Sequence, residues 1–210
     1  MKHIPRVLLL GDSIRMSYQP VVAKALQGVA NVVGPAENCQ YSLYTLASLE
    51  RWLNQLGTPD IVHWNNGIHD AGHNPARSPR QIPIEMYRLI LEFILQRLRE
   101  TDAQIIWANS TPVHPKRPFV NNQWSWKNEE IERYNKVALD LMRSRGVPVN
   151  DLHSIVMSDV EKYLCEDMLH LSEAGKSKCA EAVVAAIRTY LYNSSSLSVK
   201  TSRRRAQMSP

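Results

Sequence analysis

The sequence predicts an α/β domain, a five-stranded parallel sheet held in three layers between helices (α/β/α). Three observations predict it. Short apolar runs recur along the chain, longer segments with apolar residues at helical spacing separate them, and no internal repeat or linker interrupts the pattern before Ser194. Arg6–Leu10 (RVLLL) is the first strand and ends at Gly11; Asn31–Gly34 is the second. A helix follows on Leu46, Leu49, Leu53 and Leu56, then the third strand, Asp60–Trp64. Tyr87, Leu91, Ile94, Leu95 and Leu98 mark the next helix, which leads to the fourth strand at Gln104–Ala108. Ile131, Tyr134, Ala138, Leu141 and Met142 share one side of a helix that precedes a fifth strand at Val147–Val149. The last helix carries Cys179, Val183, Ile187 and Leu191, with Ser172 as its N-cap. Strands that alternate with helices form β-α-β units, hence a parallel sheet.

Composition bounds the rest. The chain has 210 residues, 44% hydrophobic and 21% charged, enough for one core without disulfides or a structural metal. Its net charge of +5 raises the question of nucleic acid, but Lys200, Arg203, Arg204 and Arg205 lie in a terminal stretch with no acidic residue. Removing those four from 25 bases leaves 21 against 20 acids, so the body is nearly neutral and nucleic acid is not the expected partner. Residues 1–193 read as one domain and 194–210 as a basic, Ser-rich, disordered tail. Val7–Leu10 is too short for a signal-peptide core, and no run approaches the ~20 apolar residues of a membrane span. Cys39, Cys165 and Cys179 match no zinc or redox spacing, so reduced thiols and a cytoplasmic location are the expectation.

Two long loops, Ala71–Pro83 and Thr111–Lys127, leave the carboxyl ends of strands, where α/β sheets bind ligands. Three segments at those ends carry reactive side chains. Gly11-Asp12-Ser13-Ile14 puts a hydroxyl on the turn after the first strand, although the same residues also suit a plain helix cap. Asp167-Met168-Leu169-His170 spaces a carboxylate so that it can fold back onto an imidazole within one turn. Gly67-Ile68-His69-Asp70, after Asn65 and Asn66, adds polar groups on the same rim. Each segment alone fits ordinary turn chemistry; together they order a nucleophile, a donor and an acid–base pair along one edge.

In that combination the sequence resembles the GDSL-type esterases, also called SGNH hydrolases, over about Val7 to Tyr192. Gly11-Asp12-Ser13-Ile14 is similar to the nucleophile block, Asp167-x-x-His170-Leu171 to the terminal block, and Gly67-x-His69-Asp70 to the third block, usually Gly-x-Asn-Asp. Ile14-Arg15-x-x-Tyr18, Glu37-Asn38-Cys39 and Trp52-Leu53 are similar to a bacterial-type branch. The resemblance implies a flavodoxin-like SGNH hydrolase fold and a serine esterase with Ser13 as nucleophile, His170 as general base and Asp167 as its orienter. It implies an oxyanion hole from the Ser13 N–H, a second-block backbone N–H and a third-block side chain. Here the second block reads Asn38-Cys39-Gln40 in place of a glycine, which leaves the donor at Cys39 or Gln40. His69 replaces the third-block Asn, so donation there depends on tautomer and protonation and adds a pH dependence to activity.

Other residues have plainer expectations. His69, Asp70 and His73 spell a metal-like pattern, but Gly72 and Asn74-Pro75 oppose a shared helix face, and neither metal nor cofactor is expected. His63 reads as a hydrogen-bonded core residue. Arg15 and Tyr18 are weak candidates for the substrate pocket, as are Trp124 and Trp126, which stand near Asn121, Asn122 and Gln123 where aromatic planes and amides would suit a sugar. Nothing resembles a long acyl tunnel. The expected substrate is a small ester with a short, acetyl-type acyl group, and an acetylated carbohydrate is the favoured example. The alternatives are a lysophospholipase- or thioesterase-type hydrolase, a catalytically weak relative that binds an acylated ligand, and an interaction protein acting through its basic tail.

Overall fold

The computed structural model describes residues 3–73, 81–120 and 123–206, with side chains described through Leu191. β1 (Arg6–Leu10), β2 (Asn31–Val33), β3 (Ile61–Trp64), β4 (Gln104–Ala108) and β5 (Val149–Asn150) form one sheet in the order β2-β1-β3-β4-β5, with every pair parallel. Alternation along each strand sends side chains to two cores. Leu8, Leu10, Val62, Trp64, Ile105 and Trp107 meet helices α2 (Ser42–Leu56), α4 (Ile84–Arg99) and α5 (Asn128–Ser144) on one face. Val7, Leu9, Ile61, Ile106 and Ala108 meet α1 (Ser13–Ala25), α6 (Leu152–Met157) and α8 (Glu173–Ala206) on the other. Each fully buried Leu, Val or Ile contributes about 1.5–3 kcal/mol relative to exposure. Two short helices, α3 (Ile68–Ala71) and α7 (Val160–Tyr163), complete the set among the described residues.

His63 lies in the middle of β3, with its ring edge-on to Tyr18 at 6.5 Å and Nε2 accepting from Asn150 Nδ2 at 3.1 Å. Burial holds its pKa down at about 4, as the hydrogen-bonded core role requires.

Two boundaries differ from the sequence reading, and one long helix goes unmarked by it. The fifth strand shifts from Val147–Val149 to Val149–Asn150, because the Val147 N–H closes the end of α5 onto Met142 O and Pro148 has no N–H to donate. Periodicity does not single out α1, since Pro20 sits inside it and Ile14, Tyr18 and Val22 form only a narrow stripe. The backbone of α8 continues as helix beyond the expected boundary at residue 194.

In this strand order the direction in which successive strands are added reverses between β1 and β3, which opens a crevice at their carboxyl ends. Leu10 pairs with Trp64, so the turns after the two strands leave level and diverge. The segments with Ser13 and His69 therefore flank one opening.

Candidate active site

Ser13 is the first residue of α1. Asp12 caps that helix, its Oδ1 accepting from the Ile14 N–H at 2.8 Å, so the aspartate beside the serine has a structural duty. The Ser13 N–H lies in the first turn, where no intrahelical acceptor exists, and the helix dipole favours negative charge there.

Ser13 Oγ is 2.9 Å from His170 Nε2, and His170 Nδ1 is 2.6 Å from Asp167 Oδ2. A carboxylate only accepts, so Nδ1 carries the proton and Nε2 presents its lone pair to the serine hydroxyl. The other carboxylate oxygen, Asp167 Oδ1, accepts from the N–H groups of His170 (2.8 Å) and Leu169 (2.9 Å) and from the Cys165 thiol (3.2 Å). Burial would raise the Asp167 pKa, but these four hydrogen bonds, the His170 ring foremost, outweigh it and hold the group far below the usual carboxylate range. Met168 makes the turn between them at φ +62°, and its carbonyl accepts from the His114 N–H at 2.9 Å. The His170 and Asp167 side chains are 42% and 47% exposed, so both are open to solvent.

These groups open onto a cavity of about 280 Å³ lined by Ser13, Ile14, Asn38, Ile68, His69, Trp124, Trp126, Leu169 and His170. The expected Trp124 and Trp126 form one wall, stacked at 5.8 Å and 15°, with Trp126 Nε1 donating to Ile68 O at 2.7 Å. Gly72 permits that wall: a Cβ there would stand 2.6 Å from Trp124. A two-residue bridge between His73 and Ser125 ties the two long loops together beneath it. His69 meets Trp124 edge-on at 6.1 Å. Burial lowers its pKa, the neighbouring His170 charge adds to that, and Asp12 opposes them, so the ring is neutral and has one N–H to give.

Several expected site residues lie elsewhere. Arg15 is buried and its guanidinium holds the turn together, donating to Gly11 O, Pro35 O, Glu37 O and the Gln19 side chain. Tyr18 is buried in the core beside His63. Neither lines the cavity, because both point inward from α1 while Ser13 faces out. The Cys39 N–H donates to Gly11 O at 3.2 Å and the Gln40 N–H to Asn38 Oδ1 at 2.7 Å, so both expected backbone donors are already engaged. Asn65 and Asn66 also turn inward, to Ala108 O and to Gln40 O and Thr45 Oγ1. The metal-like pattern does not converge. Asp70 accepts from the Ser42 N–H and hydroxyl, which ties it to the first residue of α2, and burial lifts its pKa to about 7 against those hydrogen bonds; His73 pairs with Glu130. Asn121 and Asn122 lie outside the described residues, and Gln123 is exposed.

Asn38, Ile14, Ile68 and Leu169 line the cavity without having been singled out for it. All four belong to the motif segments themselves, and that membership is the signal that could have found them. Among the described residues, no helix is long and apolar enough to cross a membrane.

Comparison with known proteins places the family and the fold. The human isoamyl acetate-hydrolyzing esterase 1 homolog is 26% identical over 193 aligned residues, covering 81% of this chain and 76% of that protein. A lipase/acylhydrolase structure from Enterococcus faecalis superposes with a TM-score of 0.73 at 19% identity, covering 89% of this chain and 97% of the other. An acetyl xylan esterase structure gives 0.70 at 16%, covering 87% and 99%. These structures show the shared α/β fold. The model of the GDSL-like lipase/acylhydrolase family matches residues 9–178, so the chain belongs to that family and is a carboxylic ester hydrolase.

Proposed function

We propose that this chain hydrolyses small esters of short, acetyl-type acyl groups through an acyl-enzyme on Ser13, with an acetylated carbohydrate as the favoured substrate. The observation that carries the reading is the 2.9 Å contact of Ser13 Oγ with His170 Nε2, beside a cavity walled by two stacked tryptophans. Ser13 Oγ attacks the acyl carbonyl while His170 Nε2 takes its proton. The C–O bond to the alcohol breaks, and the alcohol leaves with that proton. Water then attacks the acyl-enzyme, giving its proton to His170, which returns it to Ser13 as the acid departs. Asp167 keeps the ring in the required tautomer and stabilises its charged form. The Ser13 N–H, at the positive end of α1, and the neutral His69 ring stabilise the oxyanion.

The size of the site favours a small substrate. About 280 Å³ lies near the low end of ligand pockets, roughly 300–1,000 Å³. The tryptophan wall suits the apolar face of a sugar. One relative is named for isoamyl acetate and one structural neighbour for acetyl xylan, both acetyl esters. Residues 1–193 are taken as the catalytic domain and 194–210 as an appended basic segment.

A panel of p-nitrophenyl esters from acetyl to long chain, followed by acetylated xylo-oligosaccharides, tests the substrate. Activity should fall as the acyl chain lengthens; activity on long chains alone would overturn the reading. Fluorophosphonate labelling should vanish in Ser13→Ala. A wild-type chain that neither labels nor turns over any ester would favour the catalytically weak, ligand-binding alternative.

A further inference from the structure

The second-block donor is missing from the place where the sequence puts it. Cys39 is fully buried and its N–H is engaged by Gly11 O; Gln40 adopts φ +52° and turns its N–H back to Asn38. Neither residue lines the cavity, but Asn38 does, alongside Ser13 and His69. A backbone N–H can only donate, so the Asn38 atom that faces Gln40 must be the carbonyl oxygen Oδ1, which orients the amide. That leaves Nδ2, with two N–H groups, at the free end. Among the described residues it has no hydrogen-bond partner. The segment that holds Asn38 is rigid: the Glu37 carboxylate is gripped by Tyr44 Oη (2.6 Å), Trp52 Nε1 (2.7 Å) and Arg51 (2.6 Å), and the Glu37 carbonyl by Arg15 (3.0 Å).

We infer that the side-chain amide of Asn38 supplies the second oxyanion donor, in place of the backbone N–H that Cys39 and Gln40 no longer offer. This rests on the Ser13 acyl-enzyme reading above. The Gln40 N–H fixes the amide before substrate arrives, and a preorganised donor stabilises developing charge far more than one that must be oriented during reaction. The same bond makes Asn38 partly structural. The informative variant is therefore Asn38→Asp, which keeps the acceptor for Gln40 while replacing the free NH₂ with a carboxylate oxygen.

The experiment compares the full-length wild type, Ser13→Ala, Asn38→Ala and Asn38→Asp on p-nitrophenyl acetate, with a thermal melt of each. Loss of one such donor costs about 10²–10³-fold in kcat, and Asn38→Ala should show that loss with a smaller change in KM. Asn38→Asp should lose at least as much while melting near the wild-type temperature. Its activity relative to wild type should also rise toward acid, because a neutral carboxyl can donate where a carboxylate cannot. If Ser13→Ala is inactive but Asn38→Asp stays within about threefold of wild type, the amide is structural only and this inference falls by itself. If Ser13→Ala keeps wild-type activity, the acyl-enzyme reading fails and takes this inference with it.

Discussion

The two ends of the sheet hold clefts of opposite character. At the amino ends a space of about 770 Å³ lies among the starts of β1, β3 and β4, bordered by His3, Arg6, Asp60 and Asp102. At the carboxyl ends the cavity is about 280 Å³. The larger cleft holds structural contacts: Asp60 accepts from the Arg6 N–H at 2.7 Å and from His3 at 2.9 Å, and Arg6 donates to Thr58 O at 3.2 Å, while Arg6 Nε is buried without a partner among the described residues. The smaller one brings together Ser13, whose hydroxyl lies 2.9 Å from His170 Nε2, and two further polar side chains on its lining, His69 and Asn38. Volume does not identify a reaction centre; unengaged donors and acceptors aimed at one point do.

Mutations at each end should separate the two clefts. Ser13→Ala should lower kcat for p-nitrophenyl acetate on the order of 10⁵-fold or more, whereas Asp60→Ala should leave it within about twofold. An active Ser13→Ala or an inactive Asp60→Ala would reverse the assignment. Asp167→Asn, which permits the wrong tautomer of His170, should lose about 10⁴-fold with the fold intact by circular dichroism. His69→Ala should lose about 10²–10³-fold, and His69→Asn, which restores an amide donor, should recover most of it. Equal activity of the two His69 variants would remove that residue from the oxyanion hole.

Smaller effects concern stability. His63 has a native pKa of about 4 against about 6.5 unfolded, so its contribution is complete above pH 6.5 and is lost as pH falls, by about 3 kcal/mol at pH 4. Asp70 acts in the opposite sense. Raised to about 7, it stays protonated in the fold while the unfolded chain ionises, and its contribution is lost as pH rises from about 4 to 7. The two slopes oppose each other over pH 4–6.5. Asp70→Asn should unmask the first, giving a Tm that falls with acid more steeply than wild type; parallel Tm curves would show that Asp70 does not titrate there. Smallest of all, Asp60→Ala should cost about 1 kcal/mol, or about 2–4 °C in Tm, by removing the acceptor of the Arg6 N–H.

Much of the fold was legible because it rests on local pattern. Four of the five strand segments fall where short apolar runs predicted them, and the helices with broad apolar faces, α2, α4 and α5, follow their periodicity. α1 escaped, since its buried stripe is narrow and interrupted by Pro20. The candidate site was legible to the same depth. Motif spacing picked out Ser13, Asp167, His170 and His69, which the fold brings together, and Trp124 and Trp126 fall on the cavity wall. It misplaced Arg15, Tyr18, Cys39 and Gln40 for one shared reason. Their hydrogen-bond and packing partners, among them Gly11, Pro35, Glu37, Asn38 and His63, are set by how turns meet in space.

Local pattern along the chain is enough for a parallel sheet with helices on both faces and for the residue types at its rim, because apolar periodicity and β-α-β order leave few other ways to bury the core. Which of those rim groups remain free is set by the packing of turns in three dimensions. A donor's availability depends on the acceptors that folding brings within 3 Å of it, and no spacing along the chain records that. Cys39 and Asn38 are neighbours in sequence; one is buried and tied to Gly11, the other lines the cavity with Ser13.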